Sequence, residues 1–491
     1  MKTPLRRVAL AVMGMIVLLL ANATYLQVVK ADEYRSDTRN RRVLLDEYGR
    51  QRGQIIAGGL SVANSVETGG PLRFTRTYLD GPPYAPVTGY YSLRYGAGGV
   101  EKAMDSVLNG SDGSLFVQRV SDLFTGRDPR GGSVELTVNP AVQQVAYDEL
   151  ISRGYTGSVV AIKPDTGEIL AMVSTPSYDP NGLASHDSAE QESAWNSAVS
   201  KNNGSPLTNR AVEATYPPGS TFKLVVTAAA LENDKADPDT ALTAAAALEL
   251  EDTATNLRNF ADRPCGGGQT ATLTEALVRS CNTAFAQLVT TVGEDDLRKQ
   301  AEQFGIGEQD LEIPIEIAPS TLGDIPDVAA LQQSSIGQRD VALTPLQNAV
   351  IAATIANDGV RMQPQLVRKI LAPDLSVLDE FDPEEEQRAM SGATATKVRD
   401  MMVAAENSYR DQGKIEGVRI AAKTGTAEHG ADPKNTPPHG WYVAFAPAEN
   451  PQVAIAVLVE DGGDRGLEAT GGSLAAPIGR AVIGAALQGG R

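Results

Sequence analysis

A serine and a lysine three residues apart, Ser220 and Lys223, form the first motif that can do covalent chemistry. They follow the helix-breaking run Tyr216-Pro-Pro-Gly and open an apolar stretch, so the sequence predicts a tight loop that leads into a buried helix. Residues three apart share a helix face, which brings the lysine amine beside the serine hydroxyl. The hydroxyl needs an adjacent base to become a nucleophile, and a buried lysine near a helix N-terminus can supply one. By itself the pair is weak evidence, because a serine that caps a helix can precede a lysine by chance.

A second motif, Ser280-Cys281-Asn282, stands further along the chain and precedes an apolar run with helical character. A hydroxyl and a carboxamide two residues apart can converge on one site when they lie on a turn. Ser280 can then relay a proton, and Asn282 can hydrogen-bond a substrate amide. Taken alone, the tripeptide is too common to indicate a function.

A third motif, Lys423-Thr-Gly-Thr426, stands at the end of a predicted strand. The amine of Lys423 and the hydroxyls of Thr424 and Thr426 suit a substrate carboxylate. Gly425 lets a ligand approach the backbone closely, and the backbone amides of Thr426 and Ser220 can together form an oxyanion hole. Taken together and in this order, the three motifs indicate acyl transfer through a serine nucleophile.

The elements that must position these motifs include both strands and helices. Two β-rich runs joined by the turn Pro164-Asp-Thr-Gly167 predict a hairpin before the first motif, with an amphipathic helix at Pro140–Arg153 ahead of it. From Ser220 to about Asn407 the sequence is Ala-rich and predominantly helical, and strand texture returns in three later runs before a closing helix at Ala475–Leu487. We therefore expect an α+β fold, with one antiparallel sheet built from both ends of the domain and packed against a helical subdomain.

The N-terminus carries a segment that can cross a membrane. Lys2, Arg6 and Arg7 precede an apolar run, and Val8–Val29 is 22 residues, about 33 Å of helix, enough to span the hydrocarbon. A cleaved signal peptide with Ala21-Asn-Ala23 as its cleavage site is the alternative, and the uncleaved anchor is favoured. The basic residues place the N-terminus inside, so both interpretations export the rest of the chain. We expect residues 1–30 to form the cytoplasmic start and anchor, 31–133 a β-rich pedestal or interaction domain, and 134–491 the domain with the three motifs.

Composition excludes several other functions. A formal net charge of −18 argues against a nucleic-acid partner, because the phosphate backbone would be repelled. Two cysteines and three histidines have no metal-ligand spacing, and no cofactor motif is present, so we expect neither a metal nor a cofactor. His429 and His439 flank the loop after the third motif and are interpreted as loop residues, with a role as base for an incoming amine as the weaker alternative.

The three motifs, together with several longer stretches, resemble the class B penicillin-binding proteins, particularly their actinobacterial members. The stretches that carry the resemblance are Leu44-Leu-Asp-Glu-Tyr, Gly157-Ser-Val-Val-Ala-Ile-Lys-Pro-Asp-Thr-Gly-Glu-Ile-Leu-Ala-Met-Val-Ser, Pro176-Ser-Tyr-Asp-Pro-Asn181, Asn209-Arg-Ala, Ser335-Ile-Gly-Gln338, Leu343-Thr-Pro-Leu-Gln347 and Ala475-Ala-Pro477. The sequence departs from the family pattern after Arg52-Gly-Gln-Ile55. The next residues are Ile56-Ala-Gly-Gly59, where the family often has Asp-Arg-Asn-Gly. This departure concerns the pedestal and leaves the three motifs untouched.

The resemblance implies a serine β-lactamase/D,D-transpeptidase-like fold and a D,D-transpeptidase that cross-links peptidoglycan stem peptides and is trapped by β-lactams. Ser220 would form the acyl-enzyme, with Lys223 as its base. Ser280 and Asn282 would serve the proton relay and amide recognition, and Lys423, Thr424 and Thr426 would hold the terminal carboxylate. The family also implies a polytopic SEDS-type glycosyltransferase and other cell-wall or division proteins as partners, contacted through the anchor and residues 31–133.

Three alternatives and one covalent link stay open from the sequence. A D,D-carboxypeptidase or a class D-like β-lactamase would use water in place of the acceptor amine, and a non-catalytic scaffold or β-lactam sensor would keep the fold for protein contacts. Cys265 and Cys281 are 16 residues apart in an exported domain, so a disulfide is expected, with two buried free thiols as the alternative. The bond would also fix Ser280 and Asn282.

Overall fold

The computed structural model describes residues 2–30, 48–70, 72–115, 130–307, 313–409 and 413–489. Its α-helices are Lys2–Thr24, Gly81–Thr88, Gly99–Ala103, Asp105–Leu108, Pro140–Ile151, Pro180–Ala184, Ser188–Ala198, Lys223–Glu232, Leu273–Arg279, Asn282–Val292, Glu294–Gln303, Val328–Ser334, Pro345–Ala356, Gly392–Ser408 and Gly471–Gly489. Its strands are Ile55–Ala57, Leu60–Glu67, Phe74–Tyr78, Tyr91–Ser92, Gly96–Ala97, Ser133–Leu136, Gly157–Ile162, Ile169–Thr175, Ala241–Thr243, Ala247–Glu249, Asn256–Arg258, Thr270–Thr272, Val360–Met362, Val367–Leu371, Val377–Glu380, Glu385–Arg388, Ala421–Ala427, His439–Ala446 and Val453–Val459.

A five-stranded antiparallel sheet forms the centre of the domain that carries the motifs. Its spatial order is Ala421–Ala427, His439–Ala446, Val453–Val459, Gly157–Ile162 and Ile169–Thr175. The central strands have continuously apolar sequences because helices cover both faces of the sheet. Every residue of Val453–Val459, for example, is buried. The predicted hairpin and the sheet built from two early and three late strands are confirmed.

The helical subdomain packs around Lys223–Glu232, whose residues from Lys223 to Leu231 are all buried. The neighbouring helices Asn282–Val292, Glu294–Gln303 and Gly392–Ser408 cover it. A helix that is apolar on every side must lie in the interior, which is why its sequence shows no amphipathic period. The expectation of a predominantly helical insert is wrong in part, because short strands lie between residues 241 and 272 and again between 360 and 388.

A six-stranded sheet connects the N-terminal segment to the rest of the molecule. Its order is Val377–Glu380, Val367–Leu371, Ser133–Leu136, Ile55–Ala57, Leu60–Glu67 and Phe74–Tyr78. Four of these strands come from the N-terminal part of the chain, and two come from well after the first motif. The strand at the expected boundary between residues 133 and 134 pairs with both groups, in parallel with Ile55–Ala57 and antiparallel to Val367–Leu371.

The N-terminal helix Lys2–Thr24 continues through a π-helical turn at Tyr25–Val29. Arg6–Gln27 is the one stretch among the described residues that is long and apolar enough to cross a membrane, with a mean hydropathy of 2.1 and none of it buried. This fits the predicted anchor, and it fits the alternative of a cleaved signal peptide as well. Residues 31–47, which include Leu44-Leu-Asp-Glu of the stretch quoted above, lie outside the described residues.

Candidate active site

Ser220 lies in a 3₁₀ turn, Gly219–Thr221, that leads directly into the buried helix Lys223–Glu232. Several contacts fix this turn against the edge of the five-stranded sheet. Trp441 Nε1 donates to Pro217 O at 3.0 Å, and Gly219 N donates to Gly337 O at 2.9 Å. The turn approaches so closely that a Cβ on Gly425 would lie 2.8 Å from Pro218 O. Gly425, expected to admit a ligand, therefore also admits the turn that carries Ser220.

Lys223 occupies the centre of the site and is fully buried. Its Nζ lies 3.1 Å from Ser220 Oγ, so the predicted pairing of the two side chains is present in the structure. The same amine donates to Ser280 O and to Asn282 Oδ1, both at 2.8 Å, and lies 3.3 Å from Ser280 Oγ. The first and second motifs therefore meet at one nitrogen atom.

Lys423 brings the third motif to the same place. Its Nζ donates to Ser280 Oγ at 2.9 Å and to Thr424 O at 2.8 Å, and the side chain is fully buried. Ser280 Oγ thus lies between the two amines. A hydroxyl in this position can accept a hydrogen bond from one amine while it passes its own proton to the other.

Burial changes the protonation of both lysines. It lowers the pKa of Lys223 well below 10.5, and the nearby charge of Lys423 lowers it further. Burial also lowers the pKa of Lys423, to about 7. A neutral Lys223 has two N–H groups and one lone pair. The N–H groups match Ser280 O and Asn282 Oδ1, and the lone pair is left for the Ser220 hydroxyl.

The second motif is held in an unusual backbone conformation. Ser280 has φ 59° and ψ 42°, the left-handed region that non-glycine residues rarely adopt, and it ends the helix Leu273–Arg279. The next residue, Cys281, forms the expected disulfide with Cys265, and Asn282 begins the next helix. Asn282 Nδ2 donates to Arg258 O at 2.8 Å, which orients the amide oxygen towards Lys223.

The third motif supplies the open edge of the sheet. Thr424 and Thr426 are half-buried on the edge strand Ala421–Ala427. Thr426 Oγ1 accepts a hydrogen bond from Gly471 N at 3.4 Å, and Thr424 N donates to Tyr409 Oη at 3.2 Å. All eight candidate residues of the three motifs therefore lie within one connected group of contacts.

Several contacts at the site have no signal in the sequence. Tyr409 follows a helix and belongs to none of the quoted stretches, although its hydroxyl contacts the third motif. Tyr216 Oη donates to Glu460 Oε1 at 2.6 Å, and Arg210 Nε donates to the same oxygen at 2.9 Å. These contacts join residues some 250 positions apart in sequence, with no local pattern to indicate them.

The two histidines after the third motif stack on each other, with ring centroids 3.7 Å apart and ring planes at 6°. Asp461 N donates to His439 Nδ1 at 3.2 Å, and Asp461 Oδ1 lies 3.1 Å from His429 Nε2. The three side chains bring their ligand atoms within 4.8 Å of one another, which their spacing in sequence did not suggest. Because the rings are parallel, their in-plane lone pairs do not converge on one point. Burial and the neighbouring His429 lower the pKa of His439 to about 3.

Comparison with known proteins agrees with this geometry. A family model described as the penicillin binding protein transpeptidase domain matches residues 157–484, and one described as the penicillin binding protein A dimerisation domain matches residues 52–134. The chain belongs to the penicillin-binding protein transpeptidase family. Within it, the chain is a class B penicillin-binding protein similar to the mycobacterial PbpA proteins.

The similarity to these relatives extends over the whole chain. Identity to the peptidoglycan D,D-transpeptidase PbpA of Mycolicibacterium smegmatis is 58% over 491 residues, 99% of each chain. Identity to the PbpA of Mycobacterium tuberculosis is 55% over 492 residues, 100% of each chain. The structure of penicillin-binding protein A from M. tuberculosis as a ceftriaxone acyl-enzyme complex is similar at a TM-score of 0.87 and 54% identity, with 90% of this chain and 100% of that chain covered.

Proposed function

We propose that this protein is a peptidoglycan D,D-transpeptidase that cross-links stem peptides through an acyl-enzyme on Ser220 and is covalently inhibited by β-lactams. The observation that carries the proposal is the position of Lys223 Nζ, 3.1 Å from Ser220 Oγ and fully buried. A buried amine with a lowered pKa is the base that a serine nucleophile requires. Full-length identity of 55–58% to proteins named peptidoglycan D,D-transpeptidase supports the same reaction.

In the acylation step, Ser220 Oγ attacks the carbonyl carbon of the penultimate D-Ala and its proton passes to Lys223. The oxyanion accepts hydrogen bonds from the backbone N–H groups of Ser220 and Thr426. The C–N bond breaks, and the terminal D-Ala leaves as an amine after it takes up a proton through Lys223 or Ser280. Lys423, Thr424 and Thr426 hold the carboxylate of that terminal residue.

In the second step, an amine of a neighbouring stem peptide attacks the ester carbonyl. Lys223, neutral again, accepts the proton that this amine loses, and Ser220 Oγ leaves with a proton. A β-lactam enters the same first step, but its ring opens without a departing fragment. The product stays attached to Ser220 and blocks the amine.

The arrangement along the chain supports a membrane-anchored enzyme whose bulk lies outside the cytoplasm. We assign residues 1–30 to the cytoplasmic start and single membrane-spanning anchor, 31–133 to the pedestal and 134–491 to the transpeptidase domain. Side chains of the anchor are exposed to more than 60% at Leu10, Leu18, Leu19 and Leu20. This apolar surface and the pedestal are where a SEDS-type glycosyltransferase and other cell-wall proteins would bind, in growth or septation.

The reaction is tested with the full-length protein in detergent, a donor peptide that ends in D-Ala-D-Ala, and a free amino acid as acceptor. Mass spectrometry of the products separates the candidate functions. The proposal predicts a donor–acceptor product and one released D-Ala per product, both absent in Ser220→Ala. Release of D-Ala with only hydrolysed donor would indicate a D,D-carboxypeptidase. No turnover by the wild type, with a folded protein, would indicate a scaffold.

A further inference from the structure

Along the edge strand Ala421–Ala427, every second residue directs its backbone N–H and C=O groups away from the sheet, towards the site. Along an antiparallel ladder, residues alternate between those that bond the neighbouring strand and those that point their N–H and C=O groups outward. Thr424 N bonds Tyr409 Oη, which lies off the sheet, so Thr424 is an outward residue. Thr426, two positions on, and Glu428, just past the end of the strand, share that orientation.

Both backbone groups of Thr424 already have partners. Its N–H donates to Tyr409 Oη at 3.2 Å, and its C=O accepts from Lys423 Nζ at 2.8 Å. Tyr409, together with Ile415 and Val418, packs in turn against a buried apolar cluster. One end of the outward-facing row is therefore closed to an incoming peptide.

The Gln338 side chain closes the other end. The amide orientation that satisfies both groups places Nε2 3.1 Å from Glu428 O and Oε1 3.2 Å from Glu428 N. The side-chain amide thus reproduces the pair of hydrogen bonds that a neighbouring strand would form. The residue before it, Gly337, accepts the hydrogen bond from Gly219 in the turn of Ser220, so Gln338 is fixed relative to the nucleophile.

Thr426 lies between these two closed positions. Within the described part of the chain, no group outside the sheet hydrogen-bonds its N–H or its C=O, and the alternation along the strand turns both groups away from the neighbouring strand His439–Ala446. We propose that Tyr409 and Gln338 confine the docking edge to this single residue, so that a donor peptide pairs its backbone with Thr426 alone. The proposal rests on the proposed function and makes Tyr409 and Gln338 specificity-determining positioning residues.

The confinement has a defined consequence for the donor. The penultimate residue pairs with Thr426, and the next bonded positions lie two residues away in each direction. Towards Tyr409, a peptide that continued past its terminal residue would find Thr424 occupied, which favours a free C-terminus. Towards Gln338, the residue two before the penultimate one would find Glu428 occupied, so the stem peptide leaves the edge there. The site thus recognises the backbone of only the last two residues.

Hydrogen exchange resolved to single amides tests the closed ends without any turnover. In the full-length wild type, the Glu428 and Thr424 amides should exchange slowly and the Thr426 amide fast. Gln338→Ala should speed exchange of the Glu428 amide by at least about tenfold. Gln338→Glu should keep that exchange slow, because a side-chain oxygen remains to accept from the Glu428 N–H. Tyr409→Phe should speed exchange of the Thr424 amide. Gln144→Ala, on the remote helix Pro140–Ile151, is the control. A Thr426 amide as protected as that of Gly425 would overturn the proposal.

Peptide kinetics test the specificity. A capped dipeptide and a capped, α-linked tetrapeptide, both ending in D-Ala-D-Ala, should have kcat/KM values within about threefold of each other in the wild type. In Gln338→Ala, kcat/KM for the tetrapeptide should exceed that for the dipeptide by about tenfold, because the KM of the tetrapeptide falls. A tetrapeptide that is N-methylated at the residue opposite Glu428 should lose this gain. An unchanged ratio in Gln338→Ala would contradict the proposal. Failure of the proposed function gives a different result, namely no D-Ala release from either peptide by the wild type.

Discussion

At the scale of single residues, the site depends on two lysines that are buried without being fully charged. Neither Lys223 nor Lys423 is exposed, and both donate to Ser280. Burial disfavours the ammonium form of each, and the charge of Lys423 further disfavours the ammonium form of Lys223. In the proposed mechanism, the lowered pKa makes Lys223 available as a base, next to a second amine suited to a carboxylate.

The protonation of Lys223 predicts how acylation depends on pH. Because its pKa lies well below 10.5, the neutral base accumulates at lower pH than for a free lysine. The second-order rate constant for benzylpenicillin should rise with pH and level off well below pH 10.5. Lys223→Arg, which keeps a permanent charge, should lower it about 10³-fold without unfolding the protein. A rate that keeps climbing to pH 10, or an active arginine variant, would contradict the assignment of Lys223 as the base.

The protonation of Lys423 predicts a change in stability with pH. Its folded pKa of about 7 lies below the unfolded value of 10.5, so the unfolded chain binds more protons between these values and stability rises with pH there. Lys423→Met removes this dependence. The unfolding free energy of the variant minus that of the wild type should therefore fall by about 1 kcal/mol per pH unit above pH 7.

Denaturant unfolding at pH 7, 8 and 9 checks this prediction. Lys299→Met, at an exposed position on the helix Glu294–Gln303, is the matched control and should show no such trend. A constant difference between Lys423→Met and the wild type would mean that Lys423 keeps its ordinary pKa when folded.

At the scale of elements, the junction between the helices Leu273–Arg279 and Asn282–Val292 determines the geometry of the second motif. Ser280 ends the first helix with a left-handed backbone, a conformation that costs free energy for a residue with a Cβ. The disulfide at the adjacent Cys281 ties this junction to Cys265. The strained turn is therefore held in place by a covalent link beside it.

The double variant Cys265→Ser, Cys281→Ser tests this role. Removing the link from a loop of 16 residues should lower the unfolding free energy by about 3 kcal/mol in the chain-entropy model. Acylation by benzylpenicillin should slow as well, because Ser280 and Asn282 lose their anchor. Reduced wild type serves as the comparison. If the double variant matched the oxidised wild type in unfolding free energy and in acylation rate, the disulfide would not support the site.

At the scale of the whole molecule, a buried charge cluster holds the N-terminal segment together. Glu101 accepts from Arg52 Nε at 2.7 Å and from Arg76 Nε at 2.6 Å, and its side chain is fully buried. Burial alone would raise the pKa of Glu101, but Arg76 and Arg52 outweigh it and the pKa is lowered. The strands beside this cluster belong to the six-stranded sheet that residues 367–380 complete.

Glu101→Gln should therefore destabilise the protein strongly. It leaves the buried Arg76 guanidinium without its counter-charge and Arg52 with only the partly exposed Asp105, and breaking a buried pair in this way typically costs about 3–5 kcal/mol. Urea unfolding of the variant measures the loss. Acylation of the protein that remains folded should be unchanged, because the cluster does not contact the three motifs. A loss below 1 kcal/mol would contradict the account of this cluster.

The parts of the site that local sequence patterns encode were predictable. Proline and glycine before an apolar run indicated the turn at Ser220, and the spacing of Lys223 placed the amine on the same helix face. The continuous apolar strands, together with the resemblance, indicated the sheet. The disulfide was one of two open alternatives, since spacing alone does not determine whether two thiols meet.

The parts that depend on contacts between distant residues were not predictable. Tyr409 and Gln338 reach the edge strand from other elements, and neither has a pattern that reveals its target. The left-handed backbone of Ser280 is atypical for serine, so propensity argues against it. The two strands that residues 367–380 add to the N-terminal sheet lie inside a longer stretch that was predicted to be mainly helical, although this part of it contains a single alanine, Ala372.

The most direct test of the central assignment is intact-mass labelling of the full-length protein with benzylpenicillin. We expect one adduct on the wild type, mapped by peptide analysis to Ser220 and stable for many minutes. Ser220→Ala should form none, while Ser205→Ala, at a serine that precedes the first motif in sequence, should label like the wild type. An adduct on another residue, or labelling that survives in Ser220→Ala, would contradict the assignment of Ser220 as the nucleophile.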